Sequence, residues 1–321
     1  MTQAHETIVI TSCTSRKKKA ETVLDLKEAD AAGSLALLAQ AWQQRVLSVP
    51  QGQLQAAGDL YGGRSISEAK HTAHSLSAPL HIVSAGHGLL RADDKIPSYD
   101  VTVTPASDNP LHRCLVRLGL SPADWWPALI QAFGKHRSLN ALVTESPTSL
   151  VLLAVPSIYL TLLSHELSSL SDDAVSRLRV LTSSHGASTL PARLQSAVMP
   201  YDDRLEGLVA YSGTRSDFPQ RALRHFVTVL GGHALSLETA RQKVLDAMSN
   251  LHKPVLPERQ RKTDHEILLL LRQNWHRLNG SSARLLRYLR DDALVSCEQS
   301  RFRLLRQRFI AELNENIGTH G

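Results

Sequence analysis

The stretch IVSAGHGLLRADDKIPSYD, from Ile82 to Asp100, decides the fold. It begins inside an apolar, β-branched run, Leu80–Ala85, that is too short for a helix and stops at Gly86. Such a run is typical of a buried parallel strand, and ligands bind at the carboxyl ends of strands in open α/β sheets. The run therefore predicts a ligand site directly after this strand.

The loop after this strand carries groups that suit a binding or catalytic site. Gly86 and Gly88 allow a ligand to approach the backbone closely, or allow positive φ, and His87 lies between them. Tyr99 can stack on a ligand, and Asp100 can act as a base or stabilise a charge. An ordinary interpretation stays open, in which Asp100 caps a turn and His87 bonds the backbone.

Apolar strands alternate with helical patterns through the amino-terminal region. Strands are predicted at Thr7–Cys13, Leu80–Ala85, Leu139–Thr144, Leu150–Val155 and Arg179–Thr182. Helices are predicted at Ala29–Leu47, Ser65–Ser75, Pro122–Phe133 and Pro156–Leu170. This alternation predicts the α/β class, with a mostly parallel sheet flanked by helices. The link at 146–148 is too short for a crossover helix, so one neighbouring strand is misassigned or the pair forms a hairpin.

The rest of the chain divides into an irregular segment, two helices, a linker and a helical tail. Leu190–Phe218 is rich in Gly, Pro and Asp, and helices follow at Pro219–Leu230 and Leu237–His252. Lys253–Lys262 contains two prolines and reads as a linker. We therefore predict an α/β domain over residues 1–252 and a small all-helical domain over residues 253–321.

The tail is the basic part of the chain. Lys253 to Ile310 holds 13 Lys and Arg against 6 Asp and Glu, whereas the whole chain has a net charge of +6. Helices predicted at Thr263–Leu278, Ser281–Asp292 and Cys297–Glu315 suggest a helix-turn-helix type of module. Its candidate DNA-binding residues are Arg284, Arg287, Arg301 and Arg303. The alternative is that these arginines form a solvated face or pair with neighbouring acids.

The loop after the first strand combines small polar residues with cations. Ser12, Cys13 and Ser15 stand at the strand end, where hydroxyls and backbone amides suit a phosphate or a base edge. Cys13 is a nucleophile in one interpretation and structural in the other. The cations that follow are candidate DNA contacts, unless they are simply solvated: Lys17, Lys18 and Lys19.

Two further segments carry candidate site residues. Tyr61, in LYGGRS, forms either a stacking platform or part of a plain tight turn. Asp202, Arg215 and Asp217 lie in turns, where they either form an internal salt-bridge network or bind a phosphodiester backbone.

Several classes of site and compartment are not indicated. There is no GxGxxG, P-loop or HExxH motif, and the three cysteines have no CxxC spacing, so we expect no cofactor and no metal. No apolar run approaches the roughly 20 residues of a membrane helix, and the first residues lack a signal-peptide pattern. We expect a cytoplasmic protein without a membrane partner.

Taken together, the motifs of the amino-terminal region resemble a known family. The residues that carry the resemblance are Ser12-Cys13, Lys17, Leu60-Tyr61, Ser84-Ala85, His87-Gly88-Leu89 and Pro97–Asp100. The region is similar to a domain of unknown function that has an SA-x-HGLL…PYD loop and is often found near deazaguanine and DNA-modification genes. Agreement is good from Ile8 to Asp100 and weaker to Leu163. This chain departs from the family pattern at Ser98, which separates Pro97 from Tyr99.

The resemblance implies a fold and a function. The family is similar to the uracil-DNA-glycosylase-like α/β fold, and with a basic tail it resembles bacterial anti-phage DNA glycosylases that remove modified bases. We then expect a DNA N-glycosylase whose partner is double-stranded DNA, foreign or modified. The expected catalytic residues are Asp100, His87 and Asp202, and the expected base-binding residues are Ser12, Cys13, Ser15, Tyr61, Ser84, Gly86, Gly88, Tyr99, Arg215 and Asp217. A non-enzymatic DNA-binding or nucleotide-sensing protein and a base-exchanging transglycosylase are the alternatives.

Overall fold

The computed structural model describes residues 6–18, 22–27, 33–106, 108–253 and 258–318, with side chains as far as residue 313. The chain forms two compact units, Met1–Pro254 and Val255–Gly321. This division lies inside the segment predicted as a linker.

A five-stranded sheet forms the centre of the first unit. The first unit has nine described strands, five of them in this sheet: β1 (Thr7–Ser12), β2 (Leu24–Asp25), β3 (Gln55–Ala56), β4 (Leu80–Ser84), β5 (Gly88–Arg91), β6 (Lys95–Ile96), β7 (Tyr99–Asp100), β8 (Leu150–Ala154) and β9 (Leu178–Leu181). The sheet has the order β5-β4-β1-β8-β9, and all neighbours are parallel except β4 and β5. Two small ladders lie beside it, β2 with β7 and β3 with β6.

Helices account for most of the remaining described chain in this unit. They are α1 (Leu35–Leu47), α2 (Ala57–Leu60), α3 (Arg64–Ser75), α4 (Pro110–Leu118), α5 (Pro122–Phe133), α6 (Leu139–Glu145), α7 (Ser157–Leu162), α8 (Ser164–Ser169), α9 (Asp172–Ser176), α10 (Ser184–Ser188), α11 (Phe218–Thr228) and α12 (Leu237–Ser249). The segment predicted as irregular contains 3₁₀ turns at Ala192–Ala197, Asp203–Gly207, Val209–Tyr211 and Arg215–Asp217.

β1 explains why the sheet is covered on both faces. Successive side chains of a strand point to opposite faces. Ile8 and Ile10 enter one hydrophobic core, which also holds Trp42 of α1, whereas Val9 enters a second core with Phe226 of α11. A strand buried on both sides reads as continuously apolar, as this one does. The predicted α/β class with flanking helices is confirmed.

The predicted strand at Leu139–Thr144 is wrong. These residues form α6, whose first turn is capped by the Ser138 hydroxyl accepting a hydrogen bond from the Ala141 amide at 3.1 Å. Leu139 and Val143, four residues apart, bury one face of the helix. Its short apolar sequence fitted either element, and the cap together with this spacing decides for a helix.

The segment after β4 is a hairpin rather than an open loop. β5 returns antiparallel to β4, with Ser84 aligned opposite Gly88, so the turn consists of Ala85, Gly86 and His87. Gly88 has φ +74°, a conformation that glycine adopts without strain. β4 therefore has one parallel and one antiparallel neighbour.

The second unit is helical. Its elements are α13 (Asp264–Asn274), α14 (Ser282–Arg287), a π-helical turn at Tyr288–Asp292, and α15 (Gln299–Gly318). Thr263 and Glu266 form a capping box at the start of α13. Its core includes Ile267, Leu285 and Phe302 from the three α-helices. Across the described parts of both units, no helix combines the length and apolar character needed to cross a membrane.

Candidate active site

A cleft lies where the loop after β1 meets β7. It consists of two adjoining depressions with volumes of about 360 and 400 Å³. Ser15, Lys17 and Asp100 line both depressions, Tyr99 lines the first and Cys13 the second. We call this feature the β1–β7 cleft. It brings together predicted residues that are more than 80 positions apart in the sequence.

Backbone hydrogen bonds fix the loop that carries Lys17. The Lys18 amide donates to the Leu60 carbonyl, and the Gly62 amide donates to the Arg16 carbonyl, both at 2.9 Å. Lys17 itself forms an isolated antiparallel bridge with Tyr61. The backbone around Lys17 is therefore held in place although it lies outside the central sheet.

Three buried hydroxyls meet beneath the cleft. The Tyr99 hydroxyl lies 2.6 Å from that of Tyr61 and 2.7 Å from that of Ser84. Burial raises the pKa of both tyrosines far above the ordinary value, so both phenols stay protonated at neutral pH. Tyr61 was predicted either as a stacking platform or as part of a tight turn, and in the structure its buried ring belongs to this network.

Lys17 and Asp100 present opposite charges to the cleft. The Lys17 ammonium lies 4.4 Å from the centre of the Tyr99 ring, a cation–π distance. Among the described residues, neither the Lys17 ammonium nor the exposed Asp100 carboxylate has a hydrogen bond or an ion pair. Burial lowers the pKa of Lys17, an effect opposed by its electrostatic interactions with Cys13 and Asp100. Both charged groups are therefore available to a ligand.

Cys13 and Tyr159 form a second polar contact at the cleft. The Cys13 thiol lies 3.0 Å from the Tyr159 hydroxyl, and both residues line the larger depression. Burial raises the pKa of Tyr159 well above its ordinary value. The phenol thus stays protonated and can donate to the sulfur. Ser12, the residue before Cys13, is buried within β1.

Side chains from other parts of the unit pack closely against the turn that contains Gly86 and against the adjoining Gly88. Trp42 donates its indole N–H to the Gly86 carbonyl at 2.6 Å, and Trp125 donates to the Ala85 carbonyl at 2.8 Å. A Cβ at Gly86 would lie 2.8 Å from the Tyr99 ring. At Gly88 a Cβ would lie 2.8 Å from Arg137. In this structure the glycines allow close approach of other side chains to the turn.

His87 lies inside this packing. It is 2% exposed, and its ring centre is 4.6 Å from that of Tyr99 and 5.7 Å from that of Phe133. Neither ring nitrogen has a hydrogen-bond partner in the described structure. Burial, helped by the charges of Arg137 and Lys17, lowers the pKa of His87 to about 3. The imidazole is therefore neutral at physiological pH.

The predicted residues Asp202, Arg215 and Asp217 are held elsewhere. Asp202 accepts two hydrogen bonds from the Arg204 guanidinium, at 2.9 and 3.0 Å. Asp217 accepts from Arg221 at 2.7 Å, and this buried guanidinium also donates to Glu206. Arg215 is exposed on the adjoining 3₁₀ turn. Asp217 thus belongs to an internal salt-bridge network, one of the two interpretations left open by the sequence.

The predicted DNA-binding arginines differ in their surroundings. Arg301 donates to Asp264 and to the Lys262 carbonyl. Arg284, Arg287 and Arg303 are exposed, and within the described chain their guanidinium groups have no hydrogen bond or ion pair. A groove of about 610 Å³ on the second unit is lined by four arginines, the acidic Asp291, two apolar side chains and three small or polar residues; the arginines are Arg259, Arg287, Arg290 and Arg303. We call this the arginine groove. Lys19 lies outside the described residues.

Comparison with known proteins adds nothing to this geometry. No family model, curated protein or solved structure matches the chain. Within the described ranges, no group of three or more His, Cys, Asp and Glu side chains is arranged to hold a metal ion.

Sequence reasoning missed several residues that shape the site. Tyr159 lies in a predicted helix, and its position just after the strand end at Ala154 was the available signal. Asn109 caps α4 and donates to the carbonyls of Thr102 and Thr104, which holds one wall of the cleft. An Asn before a Pro at a helix start was a readable signal for the cap, although not for its place at the site.

Proposed function

We propose that this chain is a DNA N-glycosylase that removes a modified base from foreign DNA and leaves an abasic site. The observation that carries the proposal is the pair of charged groups in the β1–β7 cleft, Asp100 and Lys17, neither of which has an ion-pair partner among the described residues. Unpaired charges at a strand end are typical of groups kept for a substrate. The larger depression, at about 400 Å³, is within the size range of small-molecule pockets.

The chemistry assigns a task to Asp100. An enzyme acting on a base in a duplex must first flip the nucleotide out of the stack. The N-glycosidic bond then breaks through a cationic, oxocarbenium-like sugar. A nearby carboxylate either stabilises this cation or orients the water that attacks it. Asp100 is exposed at the cleft and free to do either. The buried Tyr99 forms part of the wall against which the sugar or the base would pack.

Two residues expected to be catalytic are left out of this proposal. His87 is enclosed by aromatic rings, and the Asp202 carboxylate is bonded to Arg204. Neither residue lines the described part of the β1–β7 cleft. We therefore assign His87 a packing role and leave Asp100 as the catalytic carboxylate.

The arginine groove supports DNA as the partner. The exposed guanidinium groups of Arg287 and Arg303 have no acidic partner among the described residues and suit phosphate oxygens, which accept bidentate hydrogen bonds, whereas Arg259 is paired with Asp291. The same groove favours a second candidate function, in which the chain binds DNA without cutting a glycosidic bond. The two candidates differ in whether the carboxylate at the cleft is needed for a reaction.

The test measures base release from phage DNA. The full chain is incubated with DNA from phages that carry different base modifications, and free bases and abasic sites are quantified by mass spectrometry. Asp100→Asn is expected to lower the rate of base release at least about 100-fold. Asp25→Asn is the matched control, because Asp25 is exposed on the neighbouring strand directly opposite Asp100.

Three outcomes would contradict the proposal. Full base release by the Asp100→Asn protein removes this carboxylate from the mechanism. Exchange of one base for another, without abasic sites, indicates a transglycosylase. DNA binding with no base release from any tested DNA indicates the non-enzymatic alternative.

A further inference from the structure

The Lys17 side chain is unusual because its charge is not satisfied. An ammonium has three N–H donors, and a partly buried one normally finds acceptors. Lys17 is half-buried, yet among the described residues its ammonium has no hydrogen-bond acceptor. It lies 4.4 and 6.0 Å from the ring centres of Tyr99 and Tyr61, and it interacts with the Asp100 charge only at longer range. A cation in this position is costly unless a ligand compensates it or it gives up its proton.

The surroundings of Lys17 raise the fraction of its side chain that is a neutral amine. Removal from water disfavours the charged form, and the pKa of Lys17 is lowered for that reason, against the opposing influence of Cys13 and Asp100. A larger fraction of a neutral, nucleophilic amine is then present near pH 7 than for a solvated lysine. The backbone bridge to Tyr61 fixes the residue that carries this amine.

We propose that Lys17 forms an imine with C1′ of the abasic deoxyribose, so that the chain also cleaves the DNA strand. This inference rests on the proposed function, because base removal is what supplies the abasic sugar. The inference is carried by the position of Lys17. Among the described lysines, Lys17 alone lines both depressions of the cleft, whereas Lys18 lines only the first. Asp100 lines the same two depressions.

The reaction balances with water as the only co-reactant. The neutral Lys17 amine attacks the C1′ aldehyde of the ring-opened sugar, and the resulting carbinolamine takes one proton from solvent and loses water, which gives a protonated imine. The Asp100 carboxylate takes the C2′ proton, which leaves an enamine. The enamine electrons form the C2′–C3′ double bond as the C3′–O bond breaks, and the 3′ phosphate leaves with that electron pair. Water then hydrolyses the imine and releases Lys17 with an unsaturated aldehyde.

The test traps the imine on a preformed abasic site, so that it does not depend on the target base. The full chain is mixed with duplex DNA carrying one abasic site and with sodium borohydride, whose hydride converts the imine to a stable secondary amine. A covalent protein–DNA adduct is expected, and tryptic mapping by mass spectrometry should place it on Lys17. Lys17→Arg should reduce the adduct to the level seen without borohydride.

Lys27→Arg is the matched control, because Lys27 is an exposed lysine of the same unit that lines neither depression of the cleft. It should trap DNA as well as the unmodified chain does. Absence of an adduct, or an adduct mapped to another lysine of the unmodified chain, would overturn the inference, and this mapping needs no variant to fold. Base release without an adduct rejects the Lys17 chemistry alone, whereas an adduct on Lys17 without base release rejects the glycosylase and retains the lyase.

Discussion

Replacement of His87 by phenylalanine should make the stability of the first unit less sensitive to acid. His87 is buried among aromatic rings, and neither ring nitrogen is hydrogen-bonded within the described structure. A phenyl ring of similar shape therefore removes no hydrogen bond. It removes a group that must stay neutral in the folded chain but takes up a proton in the unfolded chain.

The sign and size follow from the pKa. Burial lowers the pKa of His87 from 6.5 to about 3, so between these values the unfolded chain binds the extra proton. Stability is therefore lost as the pH falls from about 6.5 towards 3. At 1.36 kcal/mol per pKa unit the full effect is about 5 kcal/mol, of which about 2 kcal/mol is already lost at pH 5.

The measurement is urea unfolding at pH 7 and pH 5, followed by circular dichroism. Between these pH values His87→Phe should lose about 2 kcal/mol less unfolding free energy than the unmodified chain. His71→Phe, at an exposed position on α3, is the control and should keep the original pH dependence. Equal pH dependence in the His87→Phe and unmodified proteins would refute the reasoning, since it would mean that His87 is solvated or protonated when folded.

Two further predictions concern packing and DNA contact. Gly86→Ala should lower the unfolding free energy by about 1–3 kcal/mol, because the added Cβ would clash with the Tyr99 ring. Gly52→Ala should not lower it, because a Cβ there would have no atom within 4 Å, and thermal unfolding of the two variants checks both expectations. Arg303→Ala should reduce the slope of log affinity for duplex DNA against log salt concentration by roughly 1, as measured by fluorescence anisotropy. Arg301→Ala should leave that slope unchanged because Arg301 is bonded to Asp264, and equal slopes for the two variants would reject the contact at Arg303.

The sequence predicted the parts of the fold that depend on local pattern. The continuously apolar runs that begin at Thr7 and Leu150 form neighbouring parallel strands. Such runs are typical of strands that are buried on both faces, as the strands of a parallel sheet are. Leu139–Thr144 was wrongly predicted as a strand because so short a segment with scattered apolar residues fits either element. Ser138 is a residue type that caps helices, but the sequence alone did not show that it begins a helix that packs against the core.

Only some of the residues singled out from the sequence lie at the cleft, and the sequence did not indicate its geometry. Ser15, Lys17, Tyr99 and Asp100 do meet at one cleft. The burial of His87 depends on rings contributed by distant helices, and no local pattern around SAGHG reports them. Polarity in a sequence marks a residue as special without saying whether solvent reaches it, because burial is a property of the tertiary packing.

The indole hydrogen bonds to the Ala85 and Gly86 carbonyls give the first unit an optical signal. Trp42 and Trp125 are both fully buried, and Trp42 also lies edge-on to Tyr99, with ring centres 6.2 Å apart. Light absorbed by the tyrosine can pass to this indole, and the emission of the indole depends on the polarity around the turn. Tryptophan fluorescence, with Trp126 and Trp275 replaced by phenylalanine so that only Trp42 and Trp125 emit, therefore gives a label-free signal from the turn beside Tyr99, which lines the β1–β7 cleft.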